Sequence, residues 1–311
     1  MIKIKESIEL SPYTTFKIGG RARYFGIAKN QEELLELLKF AKNKNLPFLI
    51  LGKGSNVLIS DAGFNGLAII NQAKSLKIER EEVVAETGIS LAELIEEIRK
   101  KGFSGLEWAI SIPGTLGGAI RGNAGAFGGE IKDFIKEVNI YDFKKDKFAV
   151  LSVPECDFKY RHSVFKENPN FIILEAKLTL GKSSGEEGDS IKNYLNERNF
   201  NQDFSRSSAG CVFKNVLWSR KDINKQELFE NHSELKQFAD KSAIPAGFLI
   251  DYLGLKGYQI GNAQISRKHG NFIINLGGTS AESVIMLIGL IKERVHRHYG
   301  IQLEEEIQIV L

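Results

Sequence analysis

Only two cysteines, Cys156 and Cys211, occur in 311 residues. They are too few for a disulfide framework and fit a reducing compartment. No stretch approaches the ~18 consecutive apolar residues of a membrane-spanning helix. The N-terminal MIKIKESIEL alternates charge and apolarity and has no signal-peptide core, so a cytoplasmic location is expected. A charge excess of one sign is also missing. Lys and Arg number 42 against 39 Asp and Glu, a net charge of +3. Without a basic stripe, neither nucleic acid nor a membrane surface is an expected partner. The five histidines are scattered, and His296 and His298 fall on different faces of a helix, so no metal site is expected.

What is present is an ordinary globular composition, 42% hydrophobic and 26% charged, which argues against disorder. The length suggests about two domains. Three regions differ in texture. The first, to about residue 75, reads as strand, helix, strand. Leu34, Leu35, Leu38 and Ala41 give residues 31–44 a helical stripe that Pro47 ends, and LPFLIL (46–51) and VLIS (57–60) read as strands. The second, 76–205, carries a helix marked by Leu91, Leu94, Ile95 and Ile98 and ended by Gly102, then strand-rich residues 136–180. The polar KSSGEEGDS (182–190) reads as a flexible boundary. The third, 206–311, carries a helix over about 280–299, with a capping box from Thr279 and Glu282 and Gly300 past its end. Its closing EEEIQIVL ends as a strand. The mixture predicts an α+β fold rather than a repeating βαβ wheel.

Glycine is in excess, 30 residues, and the excess is local. Seven of the sixteen residues 114–129 are glycine, a density that turns alone seldom demand. A second glycine loop, LGKGSNVLI (51–59), lies upstream. Neither segment fits the dinucleotide fingerprint G-x-G-x-x-G or the phosphate loop G-x-x-x-x-G-K-[ST]. Two readings stand. One is tight turns within β-structure. The other is a pair of loops holding a pyrophosphate-bearing cofactor, with successive backbone N–H groups as an anion nest and Ser55, Thr115 and Asn123 adding donors.

These two segments, in this order, resemble the FAD-binding domain of the vanillyl-alcohol-oxidase superfamily. Further motifs narrow the resemblance to the UDP-N-acetylenolpyruvoylglucosamine reductase (MurB) family. They are YTTFKIGG (13–20), DFKYRHSVF (157–165), SSAGCVFKN (207–215), AGFLIDYLGLKGYQIGNAQIS (246–266), HGNFIIN (269–275) and GIQLEEEIQIV (300–310). The resemblance implies a two-part FAD-binding domain, residues 1–75 and 76–205, followed by an α+β substrate-binding domain, 206–311, whose last strand returns to the FAD domain. It implies FAD as cofactor, NADPH as co-substrate and a small UDP-sugar as substrate, with no obligate protein partner. The expected reaction is reduction of an enolpyruvyl UDP-sugar to UDP-N-acetylmuramate for peptidoglycan. Cofactor contacts are expected at Gly52, Lys53, Gly54, Ser55, Asn56 and Val57, and at Pro113, Gly114, Thr115, Gly117, Gly118, Asn123, Ala124 and Gly125.

By resemblance, Arg161 is the catalytic arginine. A permanently charged fork suits a carboxylate beside a developing enolate. Cys211 is the proton donor, standing where the family commonly has Ser; a thiol near pKa ~8.5 is the better acid and also a site open to oxidation. Glu306 is the second acid of an L-E-P-E motif written here as Leu303-Glu304-Glu305-Glu306, with Glu305 in the place of Pro. Tyr160, Lys214, Asn215 and Lys256 are expected substrate contacts. The 50 residues from Arg161 to Cys211 leave no room for the substrate-covering insertion of one family branch, which implies the shorter type II branch. Two other readings remain: a different FAD-dependent oxidase or dehydrogenase of the superfamily, and a catalytically degenerate flavin- or UDP-sugar-binding protein.

Overall fold

The computed structural model describes residues 2–185, 187–201, 203 and 206–311. The sequence boundary drawn at 205 thus falls outside the described residues, as does Glu186. The chain is α+β and divides into two compact units. Residues 1–8, 22–54 and 64–200 form one, and residues 9–21, 55–63 and 201–311 form the other.

Beside two two-stranded sheets, the first unit is built on two larger ones. In the smaller, Lys5–Glu9, Arg21–Ala28, Phe64–Asn71 and Phe48–Leu51 lie in that order, with Phe64–Asn71 parallel to both neighbours flanking it. The helix Gln31–Asn43 packs on it through Leu34, Leu37, Leu38 and Ala41. Leu37 takes the fully buried place expected of Leu35, which is only partly covered. Pro47 does not end this helix. Asn45 does, at φ +50°, with the Leu46 amide bonded back to the Ala41 carbonyl.

The larger sheet is antiparallel throughout, in the order Lys147–Ser152, Ile135–Asp142, Phe171–Thr179, Glu82–Glu86 and Leu76–Glu79. It shares a core with the helix Leu91–Lys100, whose Leu91, Leu94, Ile95 and Ile98 are all buried. Alternation along Phe171–Thr179, with every second side chain buried, is what one-sided packing of a strand requires. The stretch expected to be a flexible boundary instead starts a helix, Glu187–Asn201. The Glu187 carboxylate accepts from Ser183 Oγ and from the Ser184 and Gly185 amides, so the polar residues order the turn.

In the second unit, Ser207–Cys211, Phe272–Asn275, Ala263–Ile265 and Gln259–Ile260 form an antiparallel sheet. The helix Ala281–Tyr299 adds Val284, Leu287, Ile288, Ile291 and Val295 to the core of this unit. Its N-cap is Ser280, accepting from the Ser283 amide, and not Thr279, whose hydroxyl donates to the Asn262 carbonyl. Gly300 closes it at φ +70°. The last strand, Gln308–Val310, runs parallel to Val57–Ile59. No helix among the described residues is long and apolar enough to cross a membrane.

Candidate active site

The first unit brings the two glycine loops together. A Cβ on Gly52 would stand 2.4 Å from Thr115 Oγ1, so the upstream loop can pack on the downstream one only as glycine. Thr115 is the N-cap of the helix Leu116–Gly122 and accepts from the Gly118 amide. In the downstream loop three amides are already engaged. The Gly114, Leu116 and Gly117 amides donate to the carbonyls of Ile112, Ile89 and Thr87, and lace the loop to the neighbouring chain. Asn123 departs from the expected donor role in the same way. It is fully buried; its Nδ2 donates to Glu130 and to the Lys159 carbonyl, and its Oδ1 accepts from the Lys132 amide.

A ligand-facing surface remains. Gly118 is exposed, with only Thr115 Oγ1 near a would-be Cβ, and nothing lies within 4 Å of one on Gly122. One helical turn apart, the two glycines share a face that a flat or extended ligand can approach to backbone contact. The glycine-rich segment thus offers a face that can take close approach of a dinucleotide. Pro113 and Lys53 are exposed, and the Ala124 amide and carbonyl are both bonded within the chain.

Arg161 stands at the tip of a two-residue turn closed by reciprocal bonds between Lys159 and His162. Its φ of +53° is a left-handed conformation, strained for a long side chain and worth roughly 1–2 kcal/mol. The surroundings over-determine it. Nη2 donates to the Gly125 carbonyl at 2.8 Å, Lys166 Nζ donates to the Arg161 carbonyl at 2.7 Å, and the guanidinium lies over the Tyr160 ring at 5.4 Å. Strain held by several bonds is typical of a residue whose side chain must point one way. Arg161, Tyr160 and Gly125 are thus one cluster, and Asn123 anchors it from below. Burial works to raise the pKa of nearby Glu130, but hydrogen bonds from Lys132 and Asn123, with the charges of Lys132 and Arg161, outweigh it and keep the carboxyl below its ordinary value.

The second unit gathers Cys211, Lys214 and Glu306. Cys211 ends its strand beyond a bulge at Gly210, φ +77°, and is half-buried. The terminal segment runs alongside. The Lys214 amide donates to the Glu304 carbonyl, Phe213 bridges to Glu305, and the Glu306 amide donates to the Val212 carbonyl at 2.7 Å. Two of the three glutamates are committed to ion pairs: Glu304 with Lys214 at 3.0 Å and Arg220 at 3.7 Å, and Glu305 with Lys292 at 2.7 Å. Glu306 is held by its main chain on both sides, since its carbonyl also accepts from Asn56 Nδ2 at 3.1 Å.

Several expected contacts are occupied inside this unit. Ser55, Asn56 and Val57 belong to it, whereas Gly52, Lys53 and Gly54 belong to the first. Val57 is buried in the strand beside the C-terminus. Asn215 accepts from the Ala246 amide, and Lys256 pairs with Asp251. Residues the sequence did not single out do much of the positioning. Asn271 clamps Phe213 from both sides, donating to its carbonyl and accepting from its amide. It lies inside HGNFIIN, a motif that pointed to the place but not to the role. Lys166 and Lys292 gave no sequence signal. Histidines lie in acidic company in two places: His298 meets His232 and Glu234, and His162 meets Asp157 and Glu167, with the ligand atoms of each group within 4.8 Å of one another.

One unit thus carries two packed glycine loops and a held arginine, and a second α+β unit carries Cys211 and Glu306; the family matches give the class as an FAD-binding oxidoreductase. Residues 22–147 match the family described as an FAD binding domain. Residues 202–310 match the C-terminal domain of UDP-N-acetylenolpyruvoylglucosamine reductase. The reductase of that name from Synechococcus sp. (strain JA-3-3Ab) is 38% identical over 99% of this chain and 91% of its own length. That from Chlamydia muridarum is 36% identical over 99% and 94%. The crystal structure of MurB from Thermus caldophilus superposes with a TM-score of 0.77 at 29% identity, covering all of both chains. The chain belongs to the UDP-N-acetylenolpyruvoylglucosamine reductase family.

Proposed function

We propose that this protein reduces the enolpyruvyl group of UDP-N-acetylglucosamine enolpyruvate to the lactyl ether of UDP-N-acetylmuramate, with NADPH as reductant and FAD as relay. The observation that carries the reading is the adjacency of Cys211 to Val212, the main-chain partner of Glu306. Cys211 ends the strand Ser207–Cys211 and the Glu306 amide donates to the carbonyl of the next residue, Val212, which supports a thiol and a carboxyl group serving one site within this unit. Bound FAD supplies a hydride to the substrate carbon that NADPH has first delivered to it.

This chain's own residues answer the charge that follows. Arg161, its direction fixed by Gly125 and the strained turn, forks onto the substrate carboxylate and offsets the developing enolate. Cys211 Sγ–H gives its proton to the adjacent carbon. Glu306 helps hold the enolate from a pinned main chain when it carries a proton or a cationic partner. Tyr160, Lys214, Asn215 and Lys256 serve the UDP-sugar; for Lys214 and Lys256 this means exchanging Glu304 and Asp251 for phosphate. Ser55 and the exposed glycine face serve the dinucleotide, as do Gly52 to Gly54. Residues 1–75 and 76–205 are the two FAD-binding subdomains and 206–311 the substrate domain. The reaction runs in the cytoplasm on a small molecule and needs no protein partner.

One anaerobic absorbance experiment tests this. Purified protein with FAD bleaches on NADPH and recovers its colour when the enolpyruvyl UDP-sugar is added. Bleaching without recovery rejects the substrate. No flavin uptake rejects the cofactor assignment.

A further inference from the structure

No motif singled out Arg121, yet it is the oddest charge in the first unit. It sits in the helix Leu116–Gly122, three residues after Gly118 and next to Gly122, and so borders the open glycine face. Its Nη1 is shielded from solvent and has no hydrogen-bond partner. Burial pulls its pKa down, and no carboxylate opposes the shift. A guanidinium does not escape by deprotonating, so a shielded, unanswered N–H on a fixed charge is a standing cost to the fold.

Glu130, an acid of the same segment, is taken by Lys132 and Asn123. Arg121 is not loosely placed. Its carbonyl accepts from Ser163 Oγ at 2.7 Å, two residues beyond Arg161, whose Nη2 bonds to Gly125. The end of this helix and the Arg161 turn therefore form one hydrogen-bonded piece, with Arg121 inside it and the bare glycines beside it.

We propose that Arg121 supplies the counter-charge to an anionic oxygen of the bound flavin dinucleotide, across the face of Gly118 and Gly122. The inference rests on the flavoprotein reading above. Two parts of the ligand offer that chemistry: the pyrophosphate, anionic at all times, and the ring, which becomes anionic on reduction. An Nη1–H left without an acceptor in the bare chain is explained if the ligand supplies one.

The test compares wild type with Arg121→Met and Arg121→Lys, each as full-length protein stripped of flavin. Three quantities are read: FAD affinity by quenching of flavin fluorescence, midpoint potential of the rebound flavin, and melting of the stripped chain. If the pyrophosphate is the partner, Arg121→Met weakens FAD binding by about tenfold or more, the size expected for one charge-assisted pair. If the ring is the partner, oxidised FAD binds as before and the potential falls. In either case Arg121→Lys restores most of the effect, and the stripped Met variant melts no lower than wild type, because it has lost an unpaired buried charge.

The inference is overturned if neither affinity nor potential moves. A stripped Met variant that melts well below wild type, unrescued by Lys, also overturns it and makes Arg121 a packing residue. An effect confined to UDP-sugar affinity overturns it in favour of the substrate. Wild type that takes up no FAD rejects the flavoprotein reading itself, and this inference with it.

Discussion

Cys156 and Cys211 carry the same thiol into opposite surroundings. Cys156 is fully buried, and burial first, then the neighbouring Glu155 charge, push its pKa up to about 12. It is an inert packing group. Cys211 is half-buried at the end of a strand, beside the terminal acidic segment. Iodoacetamide is therefore expected to label Cys211 well before Cys156, as mass spectrometry of the digested protein would show; the reverse order would remove Cys211 from the accessible site. Cys211→Ala is expected to leave flavin reduction by NADPH intact and to slow reoxidation by substrate by about 100-fold or more, the usual worth of a placed proton donor. Cys211→Ser is expected to keep turnover, since a hydroxyl donates from the same atom position. Stopped-flow absorbance separates the two half-reactions. Normal turnover of the Ala variant would end the donor assignment. Arg161→Lys tests the fork in the same apparatus: one ammonium cannot make two parallel bonds, so reoxidation is expected to slow more than reduction.

Elements show how the acidic run resolves into distinct roles. Leu303 to Glu306 looks like a solvated patch, yet its neighbours tell the carboxylates apart: Glu304 pairs with Lys214 and Arg220, and Glu305 with Lys292 of the helix Ala281–Tyr299. The helix after residue 186 makes the opposite point. Its sequence has no apolar stripe, so periodicity could not reveal it, and its start is organised by one carboxylate. Ser183 Oγ and the amides around it hold the Glu187 pKa down to about 2 from an ordinary 4.5. A depressed folded-state pKa means stabilisation that is complete above about pH 4.5 and fades as pH falls toward 2. Amide protection over residues 187–190, taken relative to the intrinsic exchange rate at each pH, is expected to fall across that window in wild type. In Glu187→Gln it is expected to be low already at pH 6. Exchange indifferent to both changes would mean the carboxylate does not organise the turn. Asn123 is the counterpart in the glycine segment. Asn123→Ala strands the Lys159 carbonyl and the Lys132 amide, and is expected to cost about 1–3 kcal/mol in urea unfolding. The glycine motif made Asn123 visible in the sequence. Its hydrogen bonds were not, because one partner, the Lys159 carbonyl, comes from 36 residues away and the other two from beyond the helix end.

At the scale of the whole molecule, local patterns served where contacts are local and failed where they are not. The helical stripes of Leu91–Lys100 and Ala281–Tyr299 were legible because a 3.6-residue period is written in consecutive residues. Membership of the two compact units was not legible. Residues 55–63 look continuous with the glycine loop before them, yet they belong with the C-terminal half. Their strand, Val57–Ile59, pairs with Gln308–Val310, and no window of sequence contains both partners. The Ser60 amide donates to the Val310 carbonyl and the Gln308 amide to the Asn56 carbonyl, while Asn56 itself reaches Glu306. Deleting residues 308–311 therefore strips the partner from Val57–Ile59 and loosens the grip on Glu306 while leaving every expected catalytic side chain in the sequence. Exchange of the Ser60 amide should accelerate and the melting temperature should fall. Flavin reoxidation by substrate should slow more than reduction by NADPH, because the loosened carboxylate serves only the second step. A truncated chain that melts lower but keeps the ratio of the two half-reactions would show that the last strand stabilises the unit without positioning Glu306.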